Sequence, residues 1–348
     1  MSEQSRSGTS QPRKERMIAL DALKAMGIVM VVAVHALVQV EVDQATYEQL
    51  SFLFGAAAVP VFFLADGFLL SWKWTAAEVF DYPAYIRKSA KRLLIPWAVF
   101  TGVYLVVRLV AESYGLTKDT ILLGRDLLSV GQVIYLSGES PHMYFLLSLF
   151  MLRAGACVFV PMLKWPISGW GLVAVAYAIA FQTSHPKNWF LPGADPLLLA
   201  GWGLQFYGLG IVLQKSDGVL RPYAAKLCAI GGALTIALKS MELQGTGIIL
   251  QMSYIGTIYF FLQISAERFA RVFSALGRET MGIYILHAPI IVWIVAACVE
   301  RVFPFGSLPM FVLTTGLTVA ISWGITRLLN RTRLGGVVLG TEATVHHA

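Results

Sequence analysis

MIALDALKAMGIVMVVAVHALVQV, residues 17–40, is almost wholly apolar, yet it carries Asp21, Lys24 and His35. A run of this length spans a bilayer, because ~20 apolar residues at ~1.5 Å rise cover ~30 Å of hydrocarbon. Ionisable groups inside such a run are costly and by default mark a functional site. Lys24 and His35 stand eleven residues apart. At ~100° per residue that is about three turns, so the two share a face, and the rise separates them by ~16 Å. One stripe therefore carries a cation near one membrane face and an imidazole deep in the span. That pattern suits a catalytic or transport helix better than an anchor.

Long apolar runs recur along the chain. Of its 348 residues, 57% are hydrophobic and 14% charged, and the mean hydropathy is +0.66. Soluble domains are about a quarter charged. Only helices and closed barrels satisfy their backbone in lipid, and the runs exceed the ~10 residues of a barrel strand. The expected fold is an all-α, polytopic transmembrane helical bundle. About ten spans are expected, at 17–40, 51–72, 93–112, 142–163, 167–182, 197–214, 223–239, 246–265, 279–299 and 307–328. Residues 16–330 read as one membrane-integral domain. Residues 1–15 read as a disordered cytoplasmic tail and 331–348 as a second cytoplasmic tail. The first run is too long for a secretory signal, and no small-residue cleavage site follows it.

Lys and Arg set the orientation. Nineteen fall on one proposed side, in the N-terminal tail, between Lys73 and Arg92, at Arg153, Lys164, Lys215 and Arg221, and in two C-terminal groups. Five fall on the other side: Lys118, Arg125, Lys187, Lys239 and Arg301. The bias predicts that both termini are cytoplasmic, in the inner (cytoplasmic) membrane. It also gives the net charge of +7 a topogenic meaning, facing anionic lipid rather than nucleic acid. Cys157, Cys228 and Cys298 show no metal or disulfide spacing and read as buried packing residues. The segment 113–141 holds an apolar patch (Leu127, Leu128, Val133, Ile134, Tyr135, Leu136), expected to dip into the membrane or lid a cavity.

Each polar group in a span has a bland reading beside a functional one. Lys24 can snorkel to the interface or pair with Asp21 at i−3. His35 can be a neutral histidine bonded to a neighbouring carbonyl. Asp66, in FFLADGFLLSW, can pair with a cation of another span, orient a histidine or lie beside substrate. Arg87, Lys88, Lys91 and Arg92 precede the third span; they suit anionic headgroups and, equally, a polyphosphate such as that of coenzyme A. His142 opens the fourth span and His287 lies inside the ninth. Tyr144 can be an interfacial aromatic. Arg108 and Glu112 form an i,i+4 pair read as structural. His185, His346 and His347 read as solvated loop and tail residues.

Five segments, in order, resemble acyltransferase family 3, the integral-membrane O-acyltransferases that modify exported glycans. They are LDALKAMGIVMVVAVH (20–35), FFLADGFLLS (62–71), IRKSAKRLLIPW (86–97), SPHMYFL (140–146) and MGIYILHAP (281–289). Two departures stand out. Lys24 occupies a position that is usually Arg in the family, keeping the charge but losing the planar fork. Asp66 replaces the family's serine before glycine and brings a formal charge.

The resemblance implies an acyl-CoA donor, with acetyl-CoA the expected one, and a hydroxyl of a lipid-linked or exported envelope carbohydrate as acceptor. No metal is implied. That chemistry asks for a base, donors to the thioester oxyanion and cations for the CoA phosphates. The expected catalytic residues are His35 as base, with Lys24, Asp66 and His287. Arg87, Lys88, Lys91, Arg92, Asp21, His142, Tyr144 and Tyr284 are the expected substrate-binding residues. No Ser or Cys stands beside a His in a nucleophile pattern, which favours direct transfer. The rival classes are a proton-coupled small-molecule transporter using His35, Asp66 and Lys24 as a relay, and a different membrane acyltransferase architecture built around a buried His. No inverted repeat or pair of broken helices supports the transporter.

Overall fold

In the computed structural model residues 17–40 fall in helix α1, Ser10–Val40. The structure describes residues 10–40, 42–74, 79–117, 119–138, 140, 142–165, 167–182, 195–241, 247–265, 267–303 and 306–341, and the side chains of all but 10–17, 176–182 and 267–270 of these. The stretch read as an N-terminal tail lies partly outside them and partly in the first turns of α1. His185, His346 and His347 lie outside them.

The chain is 84% helical, with no strand among the described residues. After α1 come α2 (Gln44–Ala58), α3 (Pro60–Trp74) and the 32-residue α4 (Tyr82–Ser113). A short α5 (Leu127–Tyr135) precedes α6 (Tyr144–Ala154), α7 (Ala156–Met162) and α8 (Ser168–Gln182). The second half holds α9 (Pro196–Leu220), α10 (Ala224–Met241), α11 (Gly247–Ile264) and α12 (Glu267–Gly277). It closes with α13 (Thr280–Leu286), α14 (Val292–Val299), α15 (Leu308–Leu329) and α16 (Arg333–Val338). Polar side chains fix several starts by taking an orphan first-turn N–H. Asp43 accepts from Thr46, Asp81 from Ala84, Asp126 from Ser129 and Ser307 from Met310.

Seven helical stretches among the described residues are long and apolar enough to cross a membrane, or eight if α6 and α7, bent by 50°, form one span. The expected number was about ten. Every expected span has a helical counterpart, so the difference lies in breaks and lengths. The expected pair 197–214 and 223–239 is one continuous 46-residue stretch, Pro196–Met241, interrupted by a 3-10 turn at Arg221–Tyr223. Helix α8 is described over the 15 residues Ser168–Gln182 and is not counted among the seven. The second span extends upstream to Gln44, because the Asp43 cap sustains a polar first turn that hydropathy does not register.

Helix α1 packs against α2, α3 and α11 through α15, so its polar stripe faces protein. Helices α3 and α9 approach closely through glycine. A Cβ on Gly67 would collide with the Tyr207 carbonyl, and one on Gly210 with the Leu64 carbonyl. Small residues at such crossings let backbones touch where lipid offers no hydrophobic drive. The crossing buries Asp66, the neighbour of Gly67. Helix α4 instead shows Val99, Val103, Val106 and Val110 at 38–62% exposure, a lipid-facing surface. The cysteines correct an expectation. All three are free, but Cys157 and Cys298 are exposed and Cys228 half-buried. An apolar span does not reveal which residues face lipid, since lipid is as apolar as a core.

Candidate active site

Three imidazoles from distant parts of the chain meet. The ring centroid of His35 lies 5.0 Å from that of His287 and 6.0 Å from that of His142, and His142 and His287 are 5.2 Å apart. His35 comes from α1, and His142 from the turn that enters α6. His287 follows α13, where the helix breaks. Proline lacks an N–H and pushes its predecessor toward extended backbone. Ala288, before Pro289, accordingly has φ −129° and ψ 155°. The break exposes carbonyls, and the Tyr104 O–H lies 2.7 Å from that of Ile285 and 2.9 Å from that of Ala288.

The break also orients His287. Its Nδ1 donates to the Tyr284 carbonyl at 2.7 Å, with the Ile283 carbonyl at 3.2 Å. A carbonyl can only accept, so Nδ1 carries the hydrogen and Nε2 of the neutral ring is a bare acceptor. Among the described residues that buried Nε2 has no hydrogen-bond partner, and the same holds for His142 Nε2. His142 Nδ1 lies 2.9 Å from the Ser140 hydroxyl, and the Tyr284 O–H donates to the His142 carbonyl. His142 is 4% exposed and His287 fully buried, whereas His35 is partly exposed. A cavity of about 20 Å³, lined by His35, His142, Tyr144, Tyr284 and apolar residues of α1 and α2, adjoins the cluster. It offers room for about one water-sized group.

A second polar assembly lies elsewhere. Asp66 of α3 pairs with Arg153 of α6 through both carboxylate oxygens, with N–O distances from 2.5 to 3.1 Å. Asp66 thus takes a cation from another span and does not join the imidazoles. The pair lines a cavity of about 360 Å³ with Lys73, Tyr85, Lys88 and Arg92. All four basic residues from Arg87 to Arg92 are exposed, and Arg87 and Lys91 do not line the cavity. Of the four basic residues before the third span, the i,i+4 pair Lys88 and Arg92 lines this cavity. Lys24 forms an ion pair with Asp21 at 2.6 Å and remains 21% exposed.

A third cavity, of about 600 Å³, opens near the opposite end of α4, between Tyr104, Arg108 and α5. The expectation that 113–141 lids a cavity is met there. Arg92 and Tyr104 are twelve residues apart, or about 18 Å along α4. Tyr104 joins this cavity to the imidazoles, its ring 5.9 Å from His142. Among the described residues no group of His, Cys, Asp and Glu is arranged to hold a metal ion.

Sequence reasoning did not select Tyr104 or Arg153. Tyr104 has no signal in an apolar span. Arg153 looked topogenic, but it follows His142 by eleven residues, the spacing that separates Lys24 from His35. On these antiparallel paths the repeated spacing places a charged level about 16 Å from an imidazole level.

The structure is thus a multi-helix membrane bundle with a buried imidazole cluster and a cavity lined by charged residues near each end of α4. The acyltransferase-domain family, acyltransferase family 3, matches residues 17–327. The chain belongs to acyltransferase family 3, and it is a multi-pass membrane acyltransferase. The transporter reading is set aside. No curated protein and no solved structure matches the chain.

Proposed function

We propose that the protein transfers an acyl group, acetyl in the first instance, from cytoplasmic acyl-CoA to a hydroxyl of a lipid-linked or exported envelope glycan. The observation that carries this reading is the pair of polar cavities at opposite ends of α4, with the imidazoles adjoining one of them. Lys73, Lys88, Arg92 and Arg153 suit the phosphates of CoA, since cationic donors hold polyphosphate through charge-assisted hydrogen bonds. An extended pantetheine arm bridges the ~16 Å from the level of Lys24 to that of His35.

His35, the accessible imidazole, takes the proton of the acceptor hydroxyl as the oxygen attacks the thioester carbonyl. The C–S bond breaks, and the departing thiolate recovers the proton from the imidazolium, leaving an ester and free CoA thiol. His287, its tautomer fixed by the Tyr284 carbonyl, has a bare Nε2 within the cluster and supports the proton's movement. His142 and Tyr284 position the acceptor side. Lys24 acts on the donor. Asp66 holds Arg153 at the donor cavity.

The purified protein, given acetyl-CoA and envelope glycan, is expected to release CoA thiol in step with glycan ester. Lys88→Ala with Arg92→Ala is expected to weaken acyl-CoA binding in folded protein by about tenfold or more, from the loss of two charged contacts. Ester formation that persists without any CoA donor refutes the donor. Unchanged CoA affinity in the double variant makes these residues topogenic anchors only.

The Lys/Arg asymmetry supports a cytoplasmic location for both termini. A reporter fused after Ala348 is expected to be active on the cytoplasmic side; activity confined to the outer side refutes the orientation.

A further inference from the structure

We propose that the 600 Å³ cavity between α4 and α5 is the acceptor site, and that it receives the polar head of a membrane-embedded amphiphile sideways from the bilayer. The inference rests on the acyltransferase reading and adds to it the location, the route and the amphiphilic class of the acceptor.

The cavity is a built feature. The buried Glu112 carboxylate, at the end of α4, accepts the backbone N–H groups of Ile121, Leu122 and Leu123 at 2.9–3.1 Å, and the Arg108 Nε at 2.7 Å. Arg108 also reaches the Asp119 carbonyl and carboxylate at 2.9 and 3.0 Å. These contacts fold the segment after α4 back onto it. The next element is fastened at both ends: Asp126 caps α5, and the Tyr135 O–H donates to Asp195 at 2.9 Å. The volume falls in the ~300–1,000 Å³ range of small-molecule sites.

Helix α5 separates two environments. Ser129, Gln132, Val133 and Leu136 line the cavity, and their spacing of i, i+3, i+4 and i+7 puts them on one face. Leu127 lies on the opposite face, with Leu128 on its flank, and these two are 92% and 76% exposed. Exposed leucines on one side of α5, with Ser129 and Gln132 on the side that lines the cavity, suit a helix at the membrane boundary. Val107 belongs to both surfaces, being 42% exposed and part of the cavity wall. A ligand there has a tail among the valines and leucines and a hydroxylated head against Ser129, Gln132, Arg108 and Asp119.

The inner end of the cavity meets the chemistry. Tyr104 and Pro289 form that wall. Tyr104 touches His142, and Pro289 lies two residues after His287. A head group that fills the cavity therefore reaches the imidazole cluster past one tyrosine.

The test uses the full chain in phospholipid nanodiscs with a photoreactive dodecyl maltoside whose head group carries the label. Cross-links are expected on residues 104–138, and unlabelled dodecyl maltoside is expected to remove them. Maltose and phosphatidylglycerol at the same concentration are expected to leave them in place. Gln132→Trp fills the cavity and is expected to lower labelling by about tenfold, equivalent to about 1.4 kcal/mol of binding. Ser129→Trp is an independent second variant from the same face. Displacement by maltose overturns the amphiphile, and displacement by phosphatidylglycerol makes the site one for lipid headgroups in general. Labelling outside 104–138, or undiminished in both folded tryptophan variants, overturns the location. Labelling as expected by a protein that makes no glycan ester upholds the cavity and refutes the glycan-acylation reading, so the two fail separately.

Discussion

Replacing His35 by alanine is expected to lower acyl transfer by roughly 10²–10⁴-fold, the contribution of a positioned general base. The protein should still insert, remain monodisperse and bind acyl-CoA, because the basic cavity proposed for the donor is built from α3, α4 and α6 and not from His35. The imidazole cluster gives the prediction a graded form. His35, His142 and His287 lie within 6.0 Å of one another by ring centroid, so a relay that bypasses His35 is geometrically available. His287 has its Nδ1 committed to the Tyr284 carbonyl and is fully buried. It can pass a proton on from its bare Nε2, but a substrate hydroxyl cannot reach it without displacing a neighbour. Loss of His287 should therefore lower turnover while leaving some activity, and loss of His35 should leave least. Lys24→Ala should act mainly on the donor, since the helical rise keeps it ~16 Å from His35. Lys24→Arg should retain much of the activity. The measurement is turnover of each folded variant in detergent. Near-normal turnover of His35→Ala would sink the assignment and transfer the base to His287 or His142.

The parts of this site that were legible in the sequence are those that break a pattern. An imidazole or carboxylate in an apolar run is conspicuous, so His35, His142, His287 and Asp66 were each visible as single residues. Their meeting was not visible. Periodicity relates residues within one helix, as it did for Lys24 and His35, but the contact between α1, α6 and the end of α13 depends on packing. Tyr104 carries no signal, because an aromatic ring in an apolar span is ordinary until the carbonyls of Ile285 and Ala288 are brought to its hydroxyl. Arg153 was masked by the positive-inside bias, which makes any cation at a span end look topogenic. The same kind of limit applied to the fold. Hydropathy located every apolar stretch, α8 included, but not the bend between α6 and α7 or the continuity of Pro196–Met241. It also could not tell a lipid-facing cysteine from a buried one.

Asp66→Ala is expected to destabilise the protein more than a typical substitution, and the reason lies in Arg153. The guanidinium is held by both oxygens of Asp66, with side-chain exposures of 16% and 9%. Removing one member of a buried pair leaves an uncompensated charge, at a cost of about 3–5 kcal/mol. The pair borders a cavity of about 360 Å³ with Lys88 and Arg92, so water entering that space should keep the loss near the lower end. Asp66→Ser, which restores the residue usual in the family, should be nearly as damaging, because serine offers Arg153 no negative charge. Arg153→Met alone should also destabilise. It removes the cation and leaves the buried Asp66 carboxylate without its partner. Asp66→Leu combined with Arg153→Met removes both charges. It should be closer to the parent in stability than either single variant, since apolar replacement of a whole buried pair is often neutral. Thermal unfolding of the parent, Asp66→Leu, Arg153→Met and the double variant in one detergent gives the comparison as a double-mutant cycle. Additive losses, with the double variant worse than both singles, would show that the pair is not coupled. A recovered fold that binds acyl-CoA weakly would show that the pair's remaining role is at the donor cavity.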